Sequence, residues 1–115
     1  MRTIIAGSRE CTDYNILLSA IQDLSWKPSV IISGSARGID QLGEKYAIEN
    51  GIQLIRFPAQ WDKYGKRAGF IRNEDMAKKA DALFAIWDGK SPGTKNMIEL
   101  AKKYNLLIYI AYSIN

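Results

Sequence analysis

Val30-Ile31-Ile32-Ser33-Gly34-Ser35-Ala36-Arg37-Gly38-Ile39-Asp40 is one strand, one turn and one helix start in a single stretch. Three β-branched residues predict a strand, and Gly34 stops it. A helix follows from Ile39 to about Asn50, with Ile39, Leu42, Tyr46 and Ala47 facing inward and Gly51 as its left-handed C-terminal residue. The same strand-then-helix unit repeats on both sides. Upstream, Thr3 to Ala6 is a short apolar run ending at Gly7. A helix over Asp13 to Leu24 comes next, capped by Thr12 or Asp13, with Tyr14, Leu17, Leu18, Ile21 and Leu24 on one face. Downstream, Gln53 to Phe57 is a strand closed by Pro58. Ala68 to Lys79 is a helix that offers Phe70, Met76, Ala77 and Ala80 for packing, and Ala82 to Trp87 is the fourth strand. After a loop over Lys90 to Gly93, a helix over Thr94 to Tyr104 buries Met97, Ile98, Ala101 and Tyr104, and Leu106 to Ile110 closes the chain as the fifth strand.

Strands alternating with helices require parallel pairing and right-handed crossovers. The strands are near-continuous apolar runs, as expected when helices cover both faces. The expectation is a single α/β domain over residues 1–115: a three-layer, Rossmann-like arrangement of five mostly parallel strands with four main helices. The chain is 115 residues long, with 47% hydrophobic and 24% charged residues. That is ordinary globular composition and enough for one core. No apolar run is long enough to span a bilayer, and Met1 to Ala6 lacks the separate regions of a signal peptide, so a cytoplasmic protein without membrane contact is expected. The single cysteine, Cys11, reads as a packing residue, and it suits a reducing compartment. The absence of histidine removes Ser-His and Cys-His nucleophile pairs and His-containing zinc sites, and no metal site is expected. The formal charge of +4 suits an anionic ligand.

Ligands of open parallel sheets bind beyond the carboxyl ends of the strands. Gly7-Ser8-Arg9 follows the first strand, Gly34-Ser35-Ala36-Arg37-Gly38 the second, and Asp88-Gly89-Lys90-Ser91-Pro92-Gly93-Thr94 the fourth. All three loops join glycine to hydroxyls and a cation. Glycine lets backbone N–H groups close on an anion, helix N-termini add unpaired donors, and arginine supplies a planar fork. Each feature also has a plain structural reading. Gly34 and Gly38 suit any tight turn, although a turn alone does not call for Arg37. Asp40 either meets a ribose hydroxyl or complements the helix dipole. Ser8 and Arg9, or Gly93 and Thr94, also read as cap residues. Gly69 costs helix stability in a first turn unless something must approach its backbone. On spacing alone, Arg72 belongs to a solvated face with Asn73 beside it. Trp61 and Tyr64, in the long connection Pro58 to Arg67, either stack on a base or anchor that loop. Trp26 reads as a surface or oligomer contact, and Trp87 as part core, part site rim.

With those residues in view, the chain resembles the SLOG superfamily, and within it the small YspA/YpsA-like proteins. The resemblance rests on Ile5-Ala6-Gly7-Ser8-Arg9, on Ser33-Gly34-Ser35-Ala36-Arg37-Gly38-Ile39-Asp40, on Trp61 with Gly65, Ala68-Gly69, Arg72-Asn73 and Met76, and on Gly93-Thr94. Ser35 stands where a second glycine is common. The resemblance implies glycine-rich loops that hold a nucleotide or nucleotide-derived phosphate ligand, and it moves Arg72 and Asn73 from the surface into the site. The expected ligand-binding set is Gly7, Ser8, Arg9, Gly34, Ser35, Arg37, Gly38, Asp40, Gly69, Arg72, Asn73, Gly93 and Thr94. No cofactor is required beyond that nucleotide-like ligand. Three functions stay open: a sensor or sequestering module, a nucleotide N-glycosidase of the phosphoribohydrolase kind, and single-stranded nucleic-acid binding through Lys63, Lys66, Arg67 and Arg72 around Trp61 and Tyr64. For the second, Asp40, Asp88 or Glu99 is the candidate carboxylate. Related phosphoribohydrolases carry Pro-Gly-Gly-x-Gly-Thr-x-x-Glu; Pro92-Gly93-Thr94 lacks two of those glycines, and Glu99 falls late, which weighs against the hydrolase. A homodimer or higher oligomer is expected, because one small domain makes a shallow pocket.

Overall fold

The computed structural model of the chain describes residues 1–113, so Ile114 and Asn115 of the expected domain lie outside it. Strand β1 (Arg2–Gly7) leads to α1 (Tyr14–Ile21), β2 (Val30–Ser33) to α2 (Ile39–Glu49), and β3 (Gln53–Arg56) to a short α3 (Trp61–Tyr64) with a 3-10 turn over Gly65–Arg67. Helix α4 (Ala68–Lys79), β4 (Ala82–Trp87), α5 (Pro92–Lys103) and β5 (Leu107–Tyr112) complete the order. The strands lie side by side as β3-β2-β1-β4-β5, and all four pairings are parallel. This is a Rossmann-like α/β sheet, as the alternating pattern requires.

Strand side chains alternate between the two faces. Ile4, Ala6, Ile32, Leu83 and Ala85 pack under α4 and α5 with Met76, Ala77, Met97, Ile98 and Ala101. Ile5, Ile31, Phe84 and Ile86 pack on the other face with Leu17, Ile39 and Ala47 of α1 and α2. Cys11 is buried in that second cluster. Three layers result, with the sheet in the middle.

The boundaries depart from the sequence reading at a few places, each for a local reason. Helix α1 starts at Tyr14 because the Asp13 side chain accepts the Asn15 amide at 3.0 Å and caps it. It ends at Ile21, three residues short of the expected Leu24. Helix α5 begins at Pro92 rather than Thr94; proline suits the first helical position because it has no N–H to leave unpaired. The long connection after β3 folds into α3 and the 3-10 turn instead of remaining a loop. Strand β5 runs on to Tyr112, its pairing with β4 continuing to Trp87↔Tyr112. Phe70 does not pack into the core; it is 51% exposed. Trp26 is half-buried, and its indole N–H donates to the Thr3 hydroxyl at 3.0 Å, so it braces the start of β1 rather than standing free on the surface. Among the described residues, no helix is long and apolar enough to cross a membrane.

Candidate functional site

The sheet order reverses direction between β1 and β4. Chain leaving β1 departs toward β2, and chain leaving β4 departs toward β5, so a crevice opens above their carboxyl ends. Ser8 seals its floor. Its amide donates to the Ile86 carbonyl at 3.1 Å, its hydroxyl accepts the Asp88 amide at 3.1 Å, and its carbonyl accepts the Ile39 amide at 3.3 Å. The ends of β1 and β4 and the start of α2 are thereby fastened to one residue. Gly38 makes this possible. It enters α2 at φ +79, and a Cβ there would strike the Ser8 carbonyl.

Above this floor lies a cleft of about 380 Å³. Gly7, Arg9 and Asp40 line one side, Gly93 and Thr94 the other, and Gly69, Arg72 and Asn73 of α4 the roof. Eight of the sequence-predicted site residues thus meet around one space. Ser8, Gly34, Ser35, Arg37 and Gly38 do not line it. Ser8 and Gly38 build its floor. Gly34 lies where Arg72 and Asp40 converge, and a Cβ on it would come within 2.6 Å of Arg72 Nη1 and 2.8 Å of Asp40 Oδ2. The Ser35 hydroxyl donates to Glu44 Oε2 at 2.7 Å, inside the protein. Arg37 turns outward and pairs with Glu10 at 2.8 Å, both side chains being mostly exposed.

The turn after β2 therefore spends much of its polarity internally. The Ser35 amide donates to the Ser33 hydroxyl at 3.0 Å, and the Ala36 amide to Asp40 Oδ2 at 3.2 Å. Ser35 holds φ +59, a left-handed conformation that β-carbon-bearing residues avoid, and its bond to Glu44 offsets that cost. Glu44 also accepts from the Ser33 hydroxyl at 2.8 Å and from Arg56 Nε at 3.1 Å, and those donors hold its carboxyl below the usual range despite partial burial.

Arg72 is a fixture of the roof. Its Nε donates to Asn73 Oδ1 at 3.1 Å, and its Nη1 donates to the Gly34 and Phe57 carbonyls. Asn73 in turn donates to Asn96 Oδ1 at 2.9 Å and to the Gly93 carbonyl at 3.2 Å, which ties α4 to the first turn of α5. Burial pushes the Arg72 pKa down, and the nearby Asp40 charge opposes that shift. Burial raises Asp40 to about 6, against the Ala36 hydrogen bond and the Arg72 and Arg9 charges, which act to lower it.

At the N-terminus of α5, the Asp88 carboxylate accepts the Lys90 amide at 2.8 Å, the Ser91 amide at 2.7 Å and the Ser91 hydroxyl at 2.8 Å. Those bonds hold it down at about 2. Asp88 is consequently a brace for the loop, and Glu99 is exposed on α5 away from the cleft. Of the three carboxylates weighed for acid–base work, Asp40 alone lines the cleft. Beyond Asp88, the Gly93 and Thr94 amides find no partner among the described residues, because helix geometry leaves first-turn N–H groups unpaired. Sequence reasoning assigned Phe70 to core packing, yet it lines the cleft. Phe70 carried a signal: it occupies the first turn of a helix whose start faces the strand ends.

A family model described as the YspA, cpYpsA-related SLOG family matches residues 1–64, the segment that runs from β1 through α3. The chain belongs to the YspA/cpYpsA-related SLOG family. Within that match lie the Ser8 floor, the β2 turn and Asp40; the roof and the α5 end fall beyond it. This family member is also 32% identical over 111 residues to the Gene 61 protein of Mycobacterium phage D29, with 89% of each chain covered. Among solved structures, its fold is similar to DNA processing protein A from Streptococcus pneumoniae, with a TM-score of 0.76 at 20% identity. The likeness covers 95% of this chain and 49% of that protein, so the SLOG chain spans about half of its length.

Proposed function

We propose that the cleft binds a nucleotide or nucleotide-derived phosphate ligand, and that the protein acts as a binding module for it. The observation that carries this reading is Thr94. It is 5% exposed, lines the cleft, and finds no partner for its hydroxyl or its amide among the described residues. Together with the neighbouring Gly93 amide it forms an unspent donor set at the positive end of a helix, which is where an anion is stabilised. Arg9 and Lys66 line the same space and add positive charge. Trp61 and Phe70, exposed at the mouth, supply flat apolar surface of the size of a nucleobase. The volume is at the small end of the ~300–1,000 Å³ typical of ligand pockets, which favours a single nucleotide unit.

A second reading has its own support. Trp61, Tyr64 and Phe70 are exposed beside Lys63, Lys66 and Arg67, and aromatics interleaved with cations suit a single nucleic-acid strand. Native mass spectrometry followed by a thermal-shift screen with nucleotides, NAD, ADP-ribose and a short oligonucleotide separates the two. A mononucleotide that raises the melting temperature, with shallow salt dependence, supports the module. Stabilisation by the oligonucleotide alone, falling steeply with salt, replaces it with strand binding. Product analysis of the stabilising mixture detects any hydrolysis.

A further inference from the structure

Asp40 opens α2 at the edge of the cleft and is 6% exposed. Its Oδ2 accepts the Ala36 amide. Its Oδ1 has no donor among the described residues, and the carboxyl lines the cleft. Neither neighbouring arginine closes an ion pair with it: Arg72 is committed to two carbonyls and to Asn73, and Arg9 stays at the mouth. That second oxygen is open to the cleft, so it can accept from a ligand without giving up a bond within the protein.

The cleft therefore has two poles. Donors wait at the start of α5, beyond β4, and an acceptor waits beyond β2, with β1 between them. Both poles line the same cleft, so one ligand can meet the donors with its phosphate and the acceptor with its hydroxyls. Resting on the nucleotide reading above, we propose that Asp40 accepts hydrogen bonds from the vicinal hydroxyls of a ribose, so that the cleft selects ribose phosphates over ligands that lack the diol. The charged groups facing Asp40 are Arg72 from α4, Arg9 after β1 and Glu44 one turn along α2, with Glu10 and Lys66 at the mouth. Of these, Arg72 and Arg9 favour its ionised form and Glu44 opposes it.

Calorimetric titration tests this with three ligands: a ribonucleoside 5′-monophosphate, its 2′,3′-dideoxy counterpart and sulfate. Wild type should prefer the ribonucleotide by about tenfold or more, the worth of hydrogen bonds to a charged acceptor. Asp40→Asn keeps an acceptor for Ala36 but loses the charge. It should shrink the preference several-fold while leaving sulfate binding unchanged or tighter. In wild type the preference should also shrink as pH falls through about 6, where the carboxyl takes up its proton. That pH series carries the test by itself if the variant does not fold. Equal binding of both nucleotides by wild type, or a preference indifferent to both pH and Asp40→Asn, overturns this inference and leaves nucleotide binding standing. Failure of wild type to bind either nucleotide overturns both.

Discussion

Replacing Gly93 by alanine should make the protein more stable and a worse binder at the same time. Gly93 lies in the first turn of α5, its φ is not left-handed, and a Cβ built on it meets nothing within 4 Å. Alanine there loses no contact and reduces the freedom of the unfolded chain, which stabilises by about 0.4–1 kcal/mol. For a domain of this size that is a rise of roughly 2–5 °C in melting temperature. The added methyl tilts toward the helix N-terminus, into the space an anion must occupy to reach the Gly93 and Thr94 amides. Loss of one charge-assisted hydrogen bond costs about 1.5–3 kcal/mol, or roughly 10- to 150-fold in affinity. The assay pairs thermal denaturation of the ligand-free protein with titration of the best nucleotide from the screen. Unchanged affinity within about twofold would refute the claim that these amides hold the anion. A destabilised ligand-free variant would refute the claim that Gly93 has no structural duty, because glycine would then be required by packing.

Three further outcomes follow from the same geometry. Asp40 carries a folded-state pKa of about 6, above the usual 3.8, so the native state holds an extra proton between those values, and stability should fall as pH rises from about 4 to about 6; Asp40→Asn should flatten that slope in chemical denaturation and gain roughly 2–3 kcal/mol at pH 8. Ser35→Ala keeps the left-handed backbone but loses the Glu44 bond, so it should cost about 1 kcal/mol; Ser35→Gly relieves the backbone as it removes the bond and should be near neutral, and an equal loss in both variants would mean that φ +59 carries no strain. Phe70→Ala touches an exposed ring, so ligand-free stability should stay within about 0.5 kcal/mol, while affinity for a base-bearing ligand should drop by about 1–3 kcal/mol and sulfate affinity should not change.

The fold was legible because every strand and main helix declared its period. The runs Val30 to Ile32, between Pro28 and Gly34, and Ala82 to Trp87, between Asp81 and Asp88, are short and apolar as central strands are, and α4 matched its expected bounds, Ala68–Lys79, at both ends. Disagreement fell at termini without a strong local stop, such as the α1 end at Ile21, the α5 start at Pro92 and the β5 end at Tyr112. The site was legible only as a set of loops. Sequence places Arg37 beside two glycines but cannot say that its side chain finds Glu10 on the outer surface. Nor does periodicity reveal that Arg72 reaches back 38 positions to the Gly34 carbonyl; spacing alone puts it on a solvated face, and the family resemblance brought it in. Glu44 went unnoticed because its donors, Ser33, Ser35 and Arg56, come together only after β2 and β3 pair.

The triple anchorage of Ser8 has a kinetic consequence. With its amide and hydroxyl engaged by the end of β4 and its carbonyl by the start of α2, the floor of the cleft is assembled before any ligand arrives. Capture then demands no reshaping of the strand ends. The segment from α3 through the 3-10 turn to the first turn of α4, which carries Trp61, Lys66 and Phe70, borders the entrance. Residence time should be governed by how often that segment lifts, and substitutions in it should change the off-rate far more than the on-rate.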